Sequence, residues 1–457
     1  MLEGHPGTGK TTFALQFCHA GVEAGERVLY VTLSQRADEL AEIATSHGWD
    51  LEGIDVIGTE TSGLDLHAGE NTLFHSDDVD LEDAVDTIMA EVTRLAPQRL
   101  VLDSAAEVRL LSDNAIRARR RFLALKHALG QQGTTTLLLN DHSSPGETSP
   151  VYSIMHGVIR LEREEPEYGH VYRRLTIPKI RGVHGTTGYH DFRIVEGGLE
   201  VYPSLTVQTG EDPEATESRT THLMPGLVGG LDDMIGGGLD AGSSCVLIGV
   251  SGTGKSSIAA SYAVAAARRG TPAAIYTFDE RRQTLLERME GLSLDARAHS
   301  PTLQVSEFSP STMSTGRFVD RVRRDVEAGV ELVVIDSLTG FTLACPGDSR
   351  ATTRLHDLLS YLSERRVTAF VTVPQHGLLG GRVAPQIDVS FIADTVILLQ
   401  HFEDAGRVRK AITVVKRRRG DHDRSIRELV MSDQGIVVGA EISRYLGVMT
   451  GEPRPVA

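Results

Sequence analysis

Two short segments of the chain share a pattern suited to gripping phosphate. They are Gly4-His5-Pro6-Gly7-Thr8-Gly9-Lys10-Thr11 and Gly249-Val250-Ser251-Gly252-Thr253-Gly254-Lys255-Ser256. In a G-x-x-x-x-G-K-[ST] loop, glycines let backbone N–H groups close around the β-phosphate, the lysine reaches the β/γ oxygens and the hydroxyl ligates Mg²⁺. One match could be a glycine-rich turn without nucleotide. Two matches, each opening an apolar helix, predict two sites for ATP.

The same pattern assigns individual contacts to ATP. The expected ATP-binding residues are Gly4, Gly7, Thr8, Gly9, Lys10, Thr11 and Thr12 in the first copy, and Gly249, Ser251, Gly252, Thr253, Gly254, Lys255, Ser256 and Ser257 in the second. Because phosphoryl transfer depends on charge neutralisation at the γ-phosphate, Lys255 is also expected to take part in catalysis.

Each loop is followed by a hydrophobic strand that ends in Asp-Ser, at Asp103 and at Asp336. A carboxylate at the end of a buried strand costs stability unless it has a partner, and holding Mg²⁺ through water would supply one. A strand-capping aspartate is the alternative. The predicted magnesium sites therefore combine Thr11 with Asp103 and Ser256 with Asp336.

Composition limits the function classes. The 457 residues carry a formal net charge of −16, with 40% hydrophobic and 24% charged residues, as in an ordinary soluble protein. The negative charge argues against nucleic acid as a bulk electrostatic partner. No apolar run of about 18 residues is present to span a bilayer, and Met1 precedes the first loop too closely for a signal peptide, so we expect a cytoplasmic protein. The cysteines, at positions 18, 245 and 345, lack zinc spacing and are expected to be reduced core residues.

Around each loop, short apolar runs alternate with amphipathic helices. This alternation predicts an α/β fold with a mostly parallel sheet and helices on both of its faces. The segments 158–178 and 395–415 are expected to add antiparallel edge strands to the two sheets. The predicted organisation is a first domain at 1–207, a polar linker at 208–222, a second domain at 223–446 and a disordered tail at 447–457.

The order of these landmarks resembles the KaiC-like branch of the RecA superfamily of ATPases, over nearly the whole chain. The resemblance is carried by Gly48-Trp49-Asp50-Leu51, Lys179-Ile180-Arg181-Gly182, Pro225-Gly226-Leu227, Gly236-Gly237-Gly238-Leu239, the Asp-Ser strand ends, Asp394-Thr395-Val396-Ile397-Leu398-Leu399, Lys416-Arg417-Arg418 and Ile426-Arg427-Glu428. It implies tandem RecA-like domains that bind ATP and Mg²⁺.

The resemblance also implies roles for charged residues outside the loops. Asp279 and Glu280 match the acidic pair that polarises the attacking water or hydroxyl in the family. Gln35 follows Lys10 at the distance at which Glu280 follows Lys255, and Ser34 precedes it, so the first repeat is expected to bind ATP but to hydrolyse it slowly or not at all.

Two Lys-x-Arg pairs, Lys179 with Arg181 and Lys416 with Arg418, match residues that reach the γ-phosphate of a neighbouring subunit in the family. A homo-oligomeric ring, most simply a hexamer, is implied. Exposed basic residues that protect an edge strand are the alternative interpretation.

Clock-type members of the family phosphorylate adjacent serine and threonine residues, which are matched here by Ser390 and Phe391, while a further threonine is matched by Pro385. A two-site phosphorylation cycle is therefore excluded, and Ser390 is the one candidate acceptor. We expect an ATPase in signalling or clock-like regulation, with serine autokinase activity and signalling protein partners. A RecA/RadA-like ATPase acting on DNA and a non-catalytic nucleotide-gated scaffold are the alternatives.

The first loop lies unusually close to Met1. Leu223 to Ile248 precede the second loop, whereas Met1, Leu2 and Glu3 alone precede the first, so most of the strand that presents the first loop is expected to be missing. Unpaired neighbouring strands would then carry unsatisfied backbone groups. The expectation is either a start upstream of Met1 or a loosened first domain with weak ATP binding.

Overall fold

The computed structural model describes residues 1–33, 35–58, 89–104, 115–141, 152–165, 171–183, 188–205, 222–310, 312–344, 348–375, 392–450 and 453–455. Ser34, Pro385, Ser390, Phe391, Cys345 and linker residues 208–221 lie outside these ranges. The chain divides into two compact units, Met1–Ser204 and Leu205–Ala457.

The first unit is built on one nine-stranded sheet. Its strands are β1 (Leu2–Gly4), β2 (Val28–Thr32), β3 (Ile54–Ile57), β4 (Arg99–Asp103), β5 (Thr135–Asp141), β6 (Gly157–Glu164), β7 (Tyr172–Ile180), β8 (His190–Val195) and β9 (Gly198–Tyr202). Its helices are α1 (Lys10–Glu23), α2 (Ala37–Ser46) and α3 (Ala115–Gln131), and residues 89–95 are also helical. The strand order is β3-β2-β4-β5-β1-β6-β7-β8-β9.

Strand β1 is short but lies at the centre of this sheet. Its three residues pair in parallel with β5 on one side and β6 on the other. Leu2 is completely buried, and the Ile159 N–H donates to the Met1 carbonyl at 2.9 Å. The sheet is therefore continuous where the sequence predicted missing strand pairing, because three residues with partners on both sides suffice to present the loop. Weak ATP binding by this unit stays a prediction.

The second unit repeats the architecture on a ten-stranded sheet. The strands of this unit are β10 (Leu223–Met224), β11 (Val228–Gly229), β12 (Leu239–Asp240), β13 (Ser244–Gly249), β14 (Ala273–Thr277), β15 (Leu303–Glu307), β16 (Leu332–Asp336), β17 (Thr368–Pro374), β18 (Thr395–Asp404), β19 (Arg407–Arg417), β20 (Arg427–Ser432), β21 (Gly435–Glu441), β22 (Tyr445–Leu446) and β23 (Arg454–Pro455). Of these, β10 pairs with β12 and β22 with β23 in separate two-stranded sheets. Its helices are α4 (Leu231–Met234), α5 (Lys255–Arg268), α6 (Arg282–Glu290), α7 (Thr315–Glu327), α8 (Leu338–Leu343) and α9 (Asp348–Glu364).

The large sheet has the order β11-β21-β20-β19-β18-β13-β17-β16-β14-β15, which matches the first unit strand for strand around the phosphate loop. The inner strands are parallel, and their near-continuous apolar sequences, such as Leu-Val-Val-Ile in β16, fit burial on both faces. The strands from β18 to β21, like those from β6 to β9, are antiparallel. The predicted α/β fold with antiparallel additions is confirmed.

Helices cover both faces of each sheet, with one buried apolar cluster on each face. Helix α5 shows why the second loop is held firmly: its alanine-rich sequence is buried at nearly every position, so small side chains let it lie close against the strands. The phosphate loop is thus fixed at both ends, by the central strand β13 and by this helix.

The stretch that the sequence predicted as a disordered tail contains described structure. Val448 is completely buried, and β22 pairs with β23. Within the described ranges, no helix is long and apolar enough to cross a membrane.

Candidate active site

The second phosphate loop joins the end of β13 to the start of α5. Gly254 immediately precedes the helix with φ +107°, and a Cβ at this position would lie 2.7 Å from the sulfur of Met431. Any other residue would suffer both backbone strain and this collision. The glycine of the pattern is therefore required by local geometry, and Met431 packs directly on the loop.

Lys255 is the first residue of α5 and lies almost wholly within the protein. Its ammonium donates to the Val250 carbonyl at 2.9 Å, and the Thr253 hydroxyl donates to the same carbonyl at 2.9 Å. Burial lowers the pKa of Lys255 to about 8, with Asp336 acting in the opposite direction. A phosphate bound in the loop would supply the negative charge that this buried ammonium requires.

We expect ATP affinity at this site to fall as the pH rises through the lowered pKa of Lys255. The charged form binds phosphate, so with a pKa of about 8 the apparent Kd should increase about tenfold between pH 7 and pH 9. Calorimetry on the Lys10→Ala variant isolates the second site. Adding Lys255→Arg provides the control, since a guanidinium stays charged over this range. Equal pH dependence in the two proteins would contradict the role given to Lys255.

The hydroxyl and carboxylate predicted to hold magnesium lie together. The Ser256 hydroxyl donates to Asp336 Oδ1 at 2.9 Å, and the Thr372 hydroxyl donates to the same oxygen at 2.5 Å. Burial raises the pKa of Asp336, against these two hydrogen bonds. Oxygen donors of this kind fit Mg²⁺. Among the described residues, no cluster of three His, Cys, Asp or Glu side chains occurs.

The acidic turn that follows β14 divides its two carboxylates between different partners. Asp279 accepts a hydrogen bond of 2.5 Å from the hydroxyl of Ser337, the residue after Asp336. Glu280 lies in a two-pronged ion pair with Arg288 of α6, at 2.7 and 3.2 Å. The first carboxylate is thereby placed beside the end of the strand that carries Asp336, and the second faces the helix.

The first phosphate loop differs in the surroundings of its lysine. The Lys10 ammonium donates to the Gly4 carbonyl at 2.9 Å and to the His5 carbonyl at 3.1 Å, and it lies 2.6 Å from a carboxylate oxygen of Asp141. Asp141 pairs with Gly4 in the sheet, whereas the matching partner of Gly249 is Pro374. The lysine that the sequence pattern predicts to contact ATP is thus paired with a carboxylate of its own domain.

The turn after β2 confirms the alignment of Gln35 with Glu280. The Thr32 hydroxyl donates to the Gln35 carbonyl at 2.9 Å, as the Thr277 hydroxyl donates to the Glu280 carbonyl at 2.8 Å. The Gln35 side-chain oxygen is buried without a partner among the described residues. Asp103 accepts a hydrogen bond of 2.8 Å from Tyr30, and burial, together with this carboxylate, raises the tyrosine pKa.

The two Lys-x-Arg pairs take equivalent positions at the ends of β7 and β19. Lys179 donates to the Tyr152 carbonyl and Lys416 to the Ala393 carbonyl, each at 2.8 Å. Arg181 donates to the Ser153 carbonyl at 2.9 Å, and Arg418 lies 3.4 Å from Asp394. In both domains the pair therefore contacts the segment that directly precedes the neighbouring strand, which is β6 in the first domain and β18 in the second.

Sequence reasoning missed three residues of these sites: Thr372, Arg288 and Asp141. Thr372 could have been suspected from its place near the end of the strand that follows the Asp-Ser strand. The partners of Arg288 and Asp141 depend on helix rotation and strand register, for which the sequence carries no local signal.

Comparisons with known proteins agree with this architecture. A family model described as "ATPase: KaiC" matches residues 1–206 and 224–443. The circadian clock oscillator protein KaiC of Acaryochloris marina is 24% identical over 472 residues, which cover 100% of this chain and 87% of that protein. The circadian clock protein KaiC2 of Synechocystis sp. is 26% identical over 473 residues, which cover 99% of this chain and 80% of that protein. Two repeats matched by one family model, on two sheets of the same topology, place the chain in the KaiC family of ATPases.

Proposed function

We propose that this chain is an ATP-hydrolysing ring protein of signal transduction or clock-like regulation, in which the second domain carries out hydrolysis. The observation that carries the proposal is the meeting of Lys255, the Ser256–Asp336 pair and the Asp279–Glu280 turn at one end of the second sheet. The names of the relatives support the clock-like role, and the net charge of −16 disfavours the DNA-directed alternative. A cytoplasmic location and signalling protein partners belong to the same proposal.

In this mechanism the protein positions ATP and neutralises its charge. The second loop surrounds the phosphates and Lys255 contacts the γ-phosphate. Ser256 and Asp336 would hold Mg²⁺, which would supply positive charge to offset that of the phosphates. A carboxylate of the acidic turn accepts a proton from water as the water oxygen bonds to the γ-phosphorus, and the bond from that phosphorus to the bridging oxygen of ADP breaks.

We propose that the first domain binds ATP through Lys10, Thr11 and Asp103 with slow or no hydrolysis. Gln35 cannot accept a proton as a carboxylate can. The ion pair between Lys10 and Asp141 must open before the lysine can contact phosphate, and the Asp141 carboxylate would repel the bound anion. Both features favour a binding role over a hydrolytic one.

The Lys-x-Arg pairs are proposed to complete the site of a neighbouring subunit in a hexameric ring. Arg418 has half of its side-chain surface exposed, so it is accessible to a partner. A site shared between subunits makes assembly depend on ATP.

Mixing of two inactive variants should restore turnover if these residues act in trans. A Lys416→Ala/Arg418→Ala subunit keeps its phosphate loop, and a Lys255→Ala subunit keeps its basic pair. Random 1:1 assembly makes roughly a quarter of the interfaces competent. Steady-state ATP hydrolysis of the mixture is compared with that of each variant alone. A mixture no more active than its components would rule out trans action.

The proposal also includes serine autokinase activity. Ser390 is the one acceptor that matches the clock-type pattern, and it lies outside the described residues. We expect phosphopeptide mass spectrometry after incubation with Mg-ATP to find phosphate on Ser390 and none on a Ser390→Ala variant. Phosphate at an unrelated site in active protein would remove the kinase analogy.

A further inference from the structure

One arginine connects the acidic turn of the second domain to its phosphate-loop helix. Arg288 Nη2 and Nε bond the two carboxylate oxygens of Glu280 at 2.7 and 3.2 Å, while Nη1 donates to the Ser257 hydroxyl at 2.5 Å. Ser257 is buried and follows the magnesium-binding Ser256 directly. Glu280, Arg288 and Ser257, here termed the clamp, thus join the β14 turn, α6 and α5.

The clamp turns the Glu280 carboxylate toward α6. Both of its oxygens are engaged by a guanidinium in the fork geometry that gives the strongest ion pairs. The adjacent Asp279 is oriented the other way, toward Ser337. Glu280 is therefore anchored to α6, whereas Asp279 remains beside the end of the strand that carries Asp336.

The first domain provides an internal comparison. Thr12 and Gln35 occupy the positions of Ser257 and Glu280, and Ile43 occupies that of Arg288, so the carboxylate and its arginine are absent together. Thr12 Oγ1 lies 3.1 Å from Nε2 of His47, whose Nδ1 lies 3.2 Å from the Val195 carbonyl. Through His47, helix α1 is thus connected to β8. Among the described contacts, this connection does not involve Gln35, which takes the position of Glu280.

We propose that Glu280 and Arg288 are positioning residues, which hold the acidic turn against the phosphate-loop helix and thereby set the distance from Asp279 to the bound γ-phosphate. This inference rests on the proposed hydrolysis in the second domain. The arrangement matters because displacement of a reacting group by about 1 Å can cost about 10²-fold in rate. The clamp lies at the edge of the site, because Arg288 donates to the hydroxyl of Ser257, the residue directly after Ser256.

The test measures kcat and KM for ATP in the full chain carrying Arg288→Met, Arg288→Lys, Glu280→Gln or the exchange Glu280→Arg/Arg288→Glu. We expect Arg288→Met and Glu280→Gln each to lower kcat at least tenfold, with KM changed less than about twofold. The kcat of Arg288→Lys should lie between that of these two variants and that of wild type, because lysine keeps the positive charge but cannot form the two-pronged contact of a guanidinium. The exchanged pair should recover part of the kcat lost in Arg288→Met.

The matched control is Arg297→Met, which breaks an exposed ion pair with Glu290 at the end of α6 and should leave kcat unchanged. Loss of kcat in Glu280→Gln alone would overturn the inference, because Glu280 would then be the base. Unchanged kcat in both Arg288→Met and Glu280→Gln, or a raised KM that the exchange does not correct, would overturn it as well. Absence of turnover in wild type would instead overturn the proposed function together with the clamp's role.

Discussion

Replacement of Asp279 by asparagine should lower ATP turnover by about 10²- to 10⁴-fold, the range that a positioned general base contributes. Asparagine keeps the size of the side chain and can still accept the hydrogen bond from Ser337. It cannot take the proton of the attacking water. Phosphate release measured at saturating Mg-ATP gives the rate, and equilibrium binding of ATP should stay within about twofold of wild type.

The control for this change is Asp357→Asn, which removes a half-exposed carboxylate on α9. Its turnover should equal that of wild type. If Asp279→Asn keeps more than half of the wild-type rate, Asp279 is not the base, and the division of roles proposed for the two carboxylates of the acidic turn is wrong.

The second large effect is an asymmetry between the two phosphate-loop lysines. Lys255→Ala should remove nearly all hydrolysis, because it deletes the buried ammonium that we propose contacts the γ-phosphate in the domain with the acidic turn. Lys10→Ala should keep most of the turnover and should weaken ATP-dependent assembly instead. The two variants are compared by steady-state hydrolysis and by light scattering with and without ATP.

Arginine keeps the positive charge of lysine but changes the shape of the side chain, so Lys10→Arg and Lys255→Arg are the matched controls. The opposite asymmetry, with hydrolysis lost in Lys10→Ala while the ring persists, would assign catalysis to the first domain. Monomers at saturating ATP in the wild-type protein would exclude the ring.

The sequence was sufficient for the parts of the fold that depend on local pattern. Apolar runs such as that of β16 predicted buried parallel strands, and glycines such as Gly254 marked a turn that no other residue can make. The spacing from Lys10 correctly placed Gln35 at the turn where Glu280 lies in the second domain, as the hydrogen bonds from the two preceding threonines confirm.

Features that depend on relations between elements could not be read in this way. The pairing of Lys10 with Asp141 follows from the register of β1 against β5, and the clamp follows from the rotation of α6 about its axis. The three-residue β1 is too short to show a strand pattern, yet two flanking strands hold it in place. Such contacts arise only once the sheet has been assembled.

The central claim is that the second domain hydrolyses ATP, and turnover of [γ-³²P]ATP by the purified protein tests it most directly. Label in free phosphate is scored separately from label on the protein, for wild type and for Lys255→Ala. We predict Mg²⁺-dependent release of free phosphate by wild type and its near-complete loss in the variant. Equal release by the two proteins, or none by wild type with ATP bound, would contradict the claim.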